Sequence, residues 1–239
     1  MPYEYEQSSA NPRLMILLTD ELEESVRVVN EIIWEQILRN FDGDAPKNRC
    51  FISVIGYNHN VKELCSGLLK DLDALPLRYE TTKKKISDGV GGIVEFEVKQ
   101  PVWVEPSTNQ AHFASYAEAV KLAIELVRLW SETQVMAPIV VDISKECHTQ
   151  NATKEIEQLK AISTADGKVL FWGSFSECVD TSESNFSSMP EEWKWRFSDW
   201  EINEKDFYCG IINREKTLSI ISIITYTGGL PSDFNGFAI

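Results

Sequence analysis

Leu14-Met15-Ile16-Leu17-Leu18-Thr19-Asp20 decides the fold. Its five apolar residues do not alternate with polar ones, as expected of a strand covered on both faces. The run stops at Thr19-Asp20. Residues 23–40 then place Val26, Val29, Ile32, Ile33 and Ile37 at helical spacing, with Glu and Arg opposite. A second apolar run, Cys50 to Ile55, is stopped by Gly56. A third, Ile139-Val140-Val141-Asp142-Ile143, ends in Ser144-Lys145-Glu146. Buried strands alternating with helices predict an α/β fold with a doubly wound, mostly parallel, Rossmann-like sheet. Such sheets keep their functional crevice beyond the carboxyl ends of the strands, where Asp20, Tyr57, Lys145 and Gly173 are expected.

The segments between these runs fill in the pattern. A short helix is expected over residues 61–71. Gly89-Val90-Gly91-Gly92 leads into a stretch alternating Val94, Phe96 and Val98 with Glu95, Glu97 and Lys99. That alternation predicts an inserted antiparallel β-hairpin around residues 89–105, with Pro101 limiting its strand to an edge or a bulge. Residues 115–133 read as a helix, with Ser115 as N-cap and Glu118 completing a capping box. A strand over 138–144, an amphipathic helix over 153–164 and a strand over 168–173 follow. Trp193, Trp195, Phe197 and Trp200 form an aromatic group, and a strand over 207–212 and a helix over 218–224 close the pattern. The expected organisation is a frayed segment 1–13, one domain over 14–228 and a tail over 229–239.

Charge narrows the partners. The 239 residues carry a net charge of -14, a surface that repels nucleic-acid phosphates and anionic lipid. No run approaches the ~18 apolar residues of a membrane span. The expected partner is therefore another protein, with no nucleic acid bound directly and no membrane. Five widely spaced cysteines without a Cys-x-x-Cys pair argue against a disulfide framework or a zinc site. Together with an N-terminus that lacks a secretory pattern, they point to a cytoplasmic protein. The glycines at 89–92 precede a strand, so they form a turn and not a phosphate cradle. Cys147 and His148 are too close in sequence for an ordinary Cys/His dyad. Nucleotide-binding and hydrolase motifs are absent.

Val54-Ile55-Gly56-Tyr57, Ile86-Ser87-Asp88-Gly89-Val90-Gly91-Gly92, Pro101-Val102-Trp103-Val104-Glu105-Pro106 and Ala165-Asp166-Gly167-Lys168-Val169-Leu170 carry a further resemblance. In these residues the chain resembles a bacterial cytosolic subfamily of von Willebrand factor A (vWA) domains with a long hairpin after the second strand. The resemblance implies a metal-ion-dependent adhesion site, or MIDAS, built from hard oxygen ligands on three loops. The first loop, Asp-x-Ser-x-Ser in the family, reads Asp20-Glu21-Leu22-Glu23-Glu24 here, so Leu22 and Glu24 replace the two hydroxyls. Ala111 falls near the threonine of the second loop, beside His112. The third loop, Thr-Asp-Gly in the family, reads Ser144-Lys145-Glu146. Only the Asp20 position is kept.

The function implied is a non-catalytic protein–protein interaction module with a degenerate MIDAS, acting as an adaptor or assembly component in a bacterial cytosolic complex. Its expected binding rim is Asp20, Glu21, Leu22, Glu24, Ala111, His112, Ser144, Lys145 and Glu146. Lys145 either places its ammonium near Asp20 and Glu24, roughly in the electrostatic place of the metal, or is a solvated loop residue. No cofactor is expected. One alternative is a Mg²⁺-dependent vWA adaptor with the non-standard ligands Asp20, Glu24 and Asp142, and another is a hydrolase-type enzyme on the same scaffold.

Overall fold

A computed structural model describes residue 5 and residues 7–87, 92–108, 116–146 and 152–177. Its centre is a five-stranded sheet. β1 (Arg13–Thr19) pairs in parallel with β4 (Cys50–Gly56) on one side and β8 (Ile139–Glu146) on the other. β9 (Leu170–Glu177) extends the sheet in parallel beyond β8, and β5 (Lys62–Leu68) closes the other edge antiparallel to β4. The spatial order is β5-β4-β1-β8-β9, a mostly parallel α/β sheet as expected.

Alternate residues of β1 feed two cores, because successive side chains leave a strand on opposite faces. Met15 and Leu17 join Val26, Val29, Ile32, Ile33 and Ile37 of α1 (Glu23–Arg39). Leu14, Ile16 and Leu18 face α3 (Tyr116–Ser131) and α4 (Thr153–Ala161) on the other side. All five of these β1 residues are at most 2% exposed, which is why the run contains no polar residue. The first turn of α1 carries Glu23 and Glu24, placed favourably for the helix dipole.

Two expectations change. Residues 61–71 are not a helix: β5 takes Lys62–Leu68, and only α2 (Leu69–Ala74) is helical. The hairpin is also longer than its glycines suggested. β6 (Arg78–Ser87) pairs with β7 (Ile93–Val102) along ten residues, from Arg78↔Val102 to Ser87↔Ile93, in a two-stranded ribbon outside the main sheet. Pro101, opposite Tyr79, sits in that ribbon as a non-central strand requires. A small β2 (Phe41–Asp42) and β3 (Ala45–Pro46) pair after α1.

The chain is tied down ahead of residue 14. Gln7 donates to Arg49 O at 2.8 Å, and Arg13 already belongs to β1. Among the described residues no helix is long and apolar enough to cross a membrane. Ser115, the aromatic group at 193–200 and the elements expected over 207–224 lie outside the described residues.

Candidate functional site at the carboxyl ends of the strands

β1 and β4 end in register, Thr19 opposite Gly56, and the chain leaves both on the same side of the sheet. Tyr57 N donates to Thr19 O at 3.0 Å, so the two exits are joined. Asp20 follows β1 and is 8% exposed. Its Oδ1 accepts from Leu22 N at 3.1 Å, and its Oδ2 accepts from Lys145 N at 2.6 Å. Asn58 Nδ2 donates to the Asp20 carbonyl at 3.0 Å. The carboxylate therefore joins the β1 exit to β8 through two main-chain donors, and the Asp20 carbonyl ties in the β4 exit through the Asn58 side chain. The contact from Lys145 comes from its backbone, which corrects the expected ammonium bridge. Glu24 does not take part: it lies exposed on α1 and pairs with Arg27 at 4.0 Å.

Glu21 has the only positive φ among described non-glycine residues, 58°. Three contacts hold it in this uncommon left-handed region. Its N–H donates to Thr19 Oγ1 at 3.3 Å, its carbonyl accepts from Ser107 N at 2.9 Å, and its Oε1 accepts from Asn58 N at 3.2 Å. Glu21 is 5% exposed, so it organises the crest and does not present charge at a rim.

The glutamate side chain lies across Gly56. A β-carbon there would come within 2.5 Å of Glu21 Oε1 and 2.7 Å of its Cδ. Gly56→Ala should therefore cost about 1–3 kcal/mol, by displacing Glu21 and orphaning the Asn58 N–H. The same substitution in a Glu21→Gly background should be nearly neutral. Denaturant midpoints of the four proteins check the coupling. Equal costs in both backgrounds would show that the contact is slack.

Deeper in the same end lies Asp142, fully buried on β8 opposite Leu18. Tyr57 Oη donates to its Oδ1 at 2.9 Å. The hydroxyls of Tyr116 and Ser144 also face this carboxyl. Burial, with a smaller push from the Asp20 charge, raises Asp142 to about 8 against the opposing pull of these hydroxyls. Burial foremost, then Asp142, hold the Tyr57 phenol well above its ordinary range, so it stays a donor. Tyr57 and Tyr116 pack edge to face, with centroids 5.3 Å apart.

Of the sequence-predicted rim, the structure brings Asp20, Glu21, Ser144 and Lys145 together. Leu22 is partly exposed, and Glu24 is solvated. Glu146 is the last residue of β8. Ala111 and His112 lie outside the described residues. Gly173 is not at a strand end: it lies inside β9, opposite Asp142. Sequence reasoning missed Asn58, Ser107 and Tyr116, and it took Asp142, an aspartate in the middle of an apolar strand, only as an alternative metal ligand. That aspartate was the available signal, because a buried carboxyl needs partners.

The arrangement does not fit a MIDAS ion. Both Asp20 oxygens already serve N–H donors, Leu22 offers no oxygen, and Glu24 turns away. Among the described residues no group of three His, Cys, Asp or Glu side chains is placed to hold a metal. The two described cysteines, Cys50 and Cys65, are both pushed up to about 12 by burial, which disfavours the nucleophilic thiolate. No protein-family model, curated protein or solved structure matches the chain.

Proposed function

We propose that this chain is a non-catalytic protein-interaction domain of vWA type with a degenerate metal site. In this reading it serves as an adaptor or assembly component in a bacterial cytosolic complex. The observation that carries the reading is the state of Asp20. Its two oxygens accept from the Leu22 and Lys145 amides, so the carboxylate acts as an internal brace and not as an open ligand. What the crest leaves for a partner is exposed Glu23 and Glu24 in the first turn of α1, Leu22 just before it, and partly exposed Lys145 on β8. A polar or basic patch on another protein suits this lip. Charge pairs at such a rim act mainly on association rate, so binding should slow with salt and persist in EDTA.

Metal titration tests the reading directly. Millimolar Mg²⁺ should leave the melting temperature unchanged. A site of ~10 µM affinity would add about 2.7 kcal/mol at 1 mM, a visible shift. Such a shift would overturn the metal-free reading.

A further inference from the structure

Asp142 Oδ2 is buried and has no hydrogen-bond partner of ordinary geometry, although Oδ1 is well served by Tyr57 at 2.9 Å. A carboxylate in that setting would leave part of its charge uncompensated inside the protein, which is costly. A neutral carboxyl removes the difficulty. Its Oδ1 accepts from Tyr57 and the proton sits on the partnerless Oδ2; the Tyr57, Tyr116 and Ser144 hydroxyls pull toward the charged form, and burial with the Asp20 charge outweighs them. These groups come from different parts of the crest. Tyr57 follows β4 and precedes Asn58, which bonds the Asp20 carbonyl and Glu21; Tyr116 opens α3; Ser144 precedes Lys145, whose amide holds Asp20.

We propose that Asp142 is a proton-operated lock on the crest: its neutral carboxyl joins β8 to the β4 exit and to α3, and loss of the proton loosens the loops around Asp20. This goes beyond the docking reading and does not depend on it. The groups facing Asp142 can be named by element. They are Tyr57 at the β4 exit, Tyr116 on α3, Asp20 at the β1 exit and Ser144 on β8, with Lys145 next along β8. The register neighbours Leu18 on β1 and Gly173 on β9 carry no charge, and α4 contributes apolar Ile156 and Leu159 to this core. Lys145 is the one cation in this set, and its backbone amide is what reaches Asp20; ionising Asp142 sets a second carboxylate charge at the same end of the sheet as Asp20. The upward shift of Asp142 to about 8 agrees with this geometry.

The sign of the pH effect follows. The native state keeps the proton up to about pH 8, while an unfolded aspartate releases it near ~3.9. Stability from this group is complete below the unfolded value, falls as pH rises between the two, and levels off above about 8. The unfolding equilibrium should shift up to ~10-fold per pH unit within that window. Asp142→Asn, which mimics the neutral acid, should lack this component. The test uses the whole chain. Carboxyl ¹³C shifts of aspartate-labelled wild type should include one resonance with a midpoint near pH 8. The Asn58 and Lys145 amides should gain exchange above that pH beyond the intrinsic base-catalysed rise. An Asp142 resonance titrating in the ordinary carboxylate range would overturn the lock even if Asp142→Asn failed to fold. So would equal pH slopes for the two proteins. A Mg²⁺-induced melting shift would remove the docking reading and leave this titration standing.

Discussion

Arg13→Met should destabilise the chain by about 3–5 kcal/mol, the range for breaking a buried ion pair from one side. Arg13 is 2% exposed at the start of β1, and the Asp166 side chain is fully buried. The guanidinium donates to Asp166 Oδ2 at 3.3 Å and to the Ala137 carbonyl at 2.7 Å. Ala137 N reaches the same Asp166 oxygen at 3.1 Å. The pair therefore fastens the first strand to the entry of β8 and to the turn before β9, at the end of the sheet opposite the crest. Methionine fills similar volume but leaves a buried carboxylate without its counter-charge. In a chain of this size the loss corresponds to roughly 6–20 °C in melting temperature. Arg13→Met with Asp166→Leu should recover most of it, because a matched apolar pair removes the stranded charge. A single variant that melts with wild type would show that water or another group already compensates Asp166.

The sequence revealed the doubly covered strands together with β9 and β7, and hid β5 and β6, and the reason is burial. β1, β4 and β8 meet helices on both faces, so each is written as a mostly apolar run, broken only by Ser53 in β4 and by Asp142 and Ser144 in β8 before its polar end. β5 is an edge strand with much of its surface exposed. Its Leu64 and Leu68, followed by Leu69 and Leu72, imitate the spacing of a helix face. β6 offers almost no apolar alternation. It is defined by its ten-residue register against β7, from Arg78↔Val102 to Ser87↔Ile93, which local reading cannot see. The candidate site divides in the same way. Asp20, Ser144 and Lys145 were legible because strand ends mark the crest. Glu21 was legible only as an acidic rim residue. Its left-handed backbone and its place over Gly56 depend on the register of β1 against β4. Lys145 holds Asp20 through a main-chain amide, which every residue except proline has, so no side-chain pattern could report it.

Asn30 supports a second large effect, this one confined to one part of the chain. It is buried on α1 and faces the point where β7 returns to the body. Its Oδ1 accepts from Trp103 N at 2.8 Å and Val104 N at 3.1 Å, and its Nδ2 donates to Val104 O at 2.9 Å and Val26 O at 3.1 Å. One amide thus satisfies the backbone of an irregular segment that no strand covers. Trp103 adds a donor bond from Nε1 to Leu72 O at 2.7 Å and lies 6.4 Å from Trp34 between ring centroids. Asn30→Ala leaves the Trp103 and Val104 N–H groups and the Val104 carbonyl buried without this partner. The expected cost is about 2–4 kcal/mol, since each orphaned buried group forfeits its desolvation. The damage should concentrate where the ribbon joins α1, because β1, β4 and β8 hold the sheet without Asn30. Hydrogen exchange separates the two outcomes. Amides of residues 102–104 should lose far more protection than those of β1, and Trp103 emission should shift toward that of a wetter indole. A uniform loss across both regions would mean that the β7 exit belongs to the global core and that Asn30 is not a local clamp.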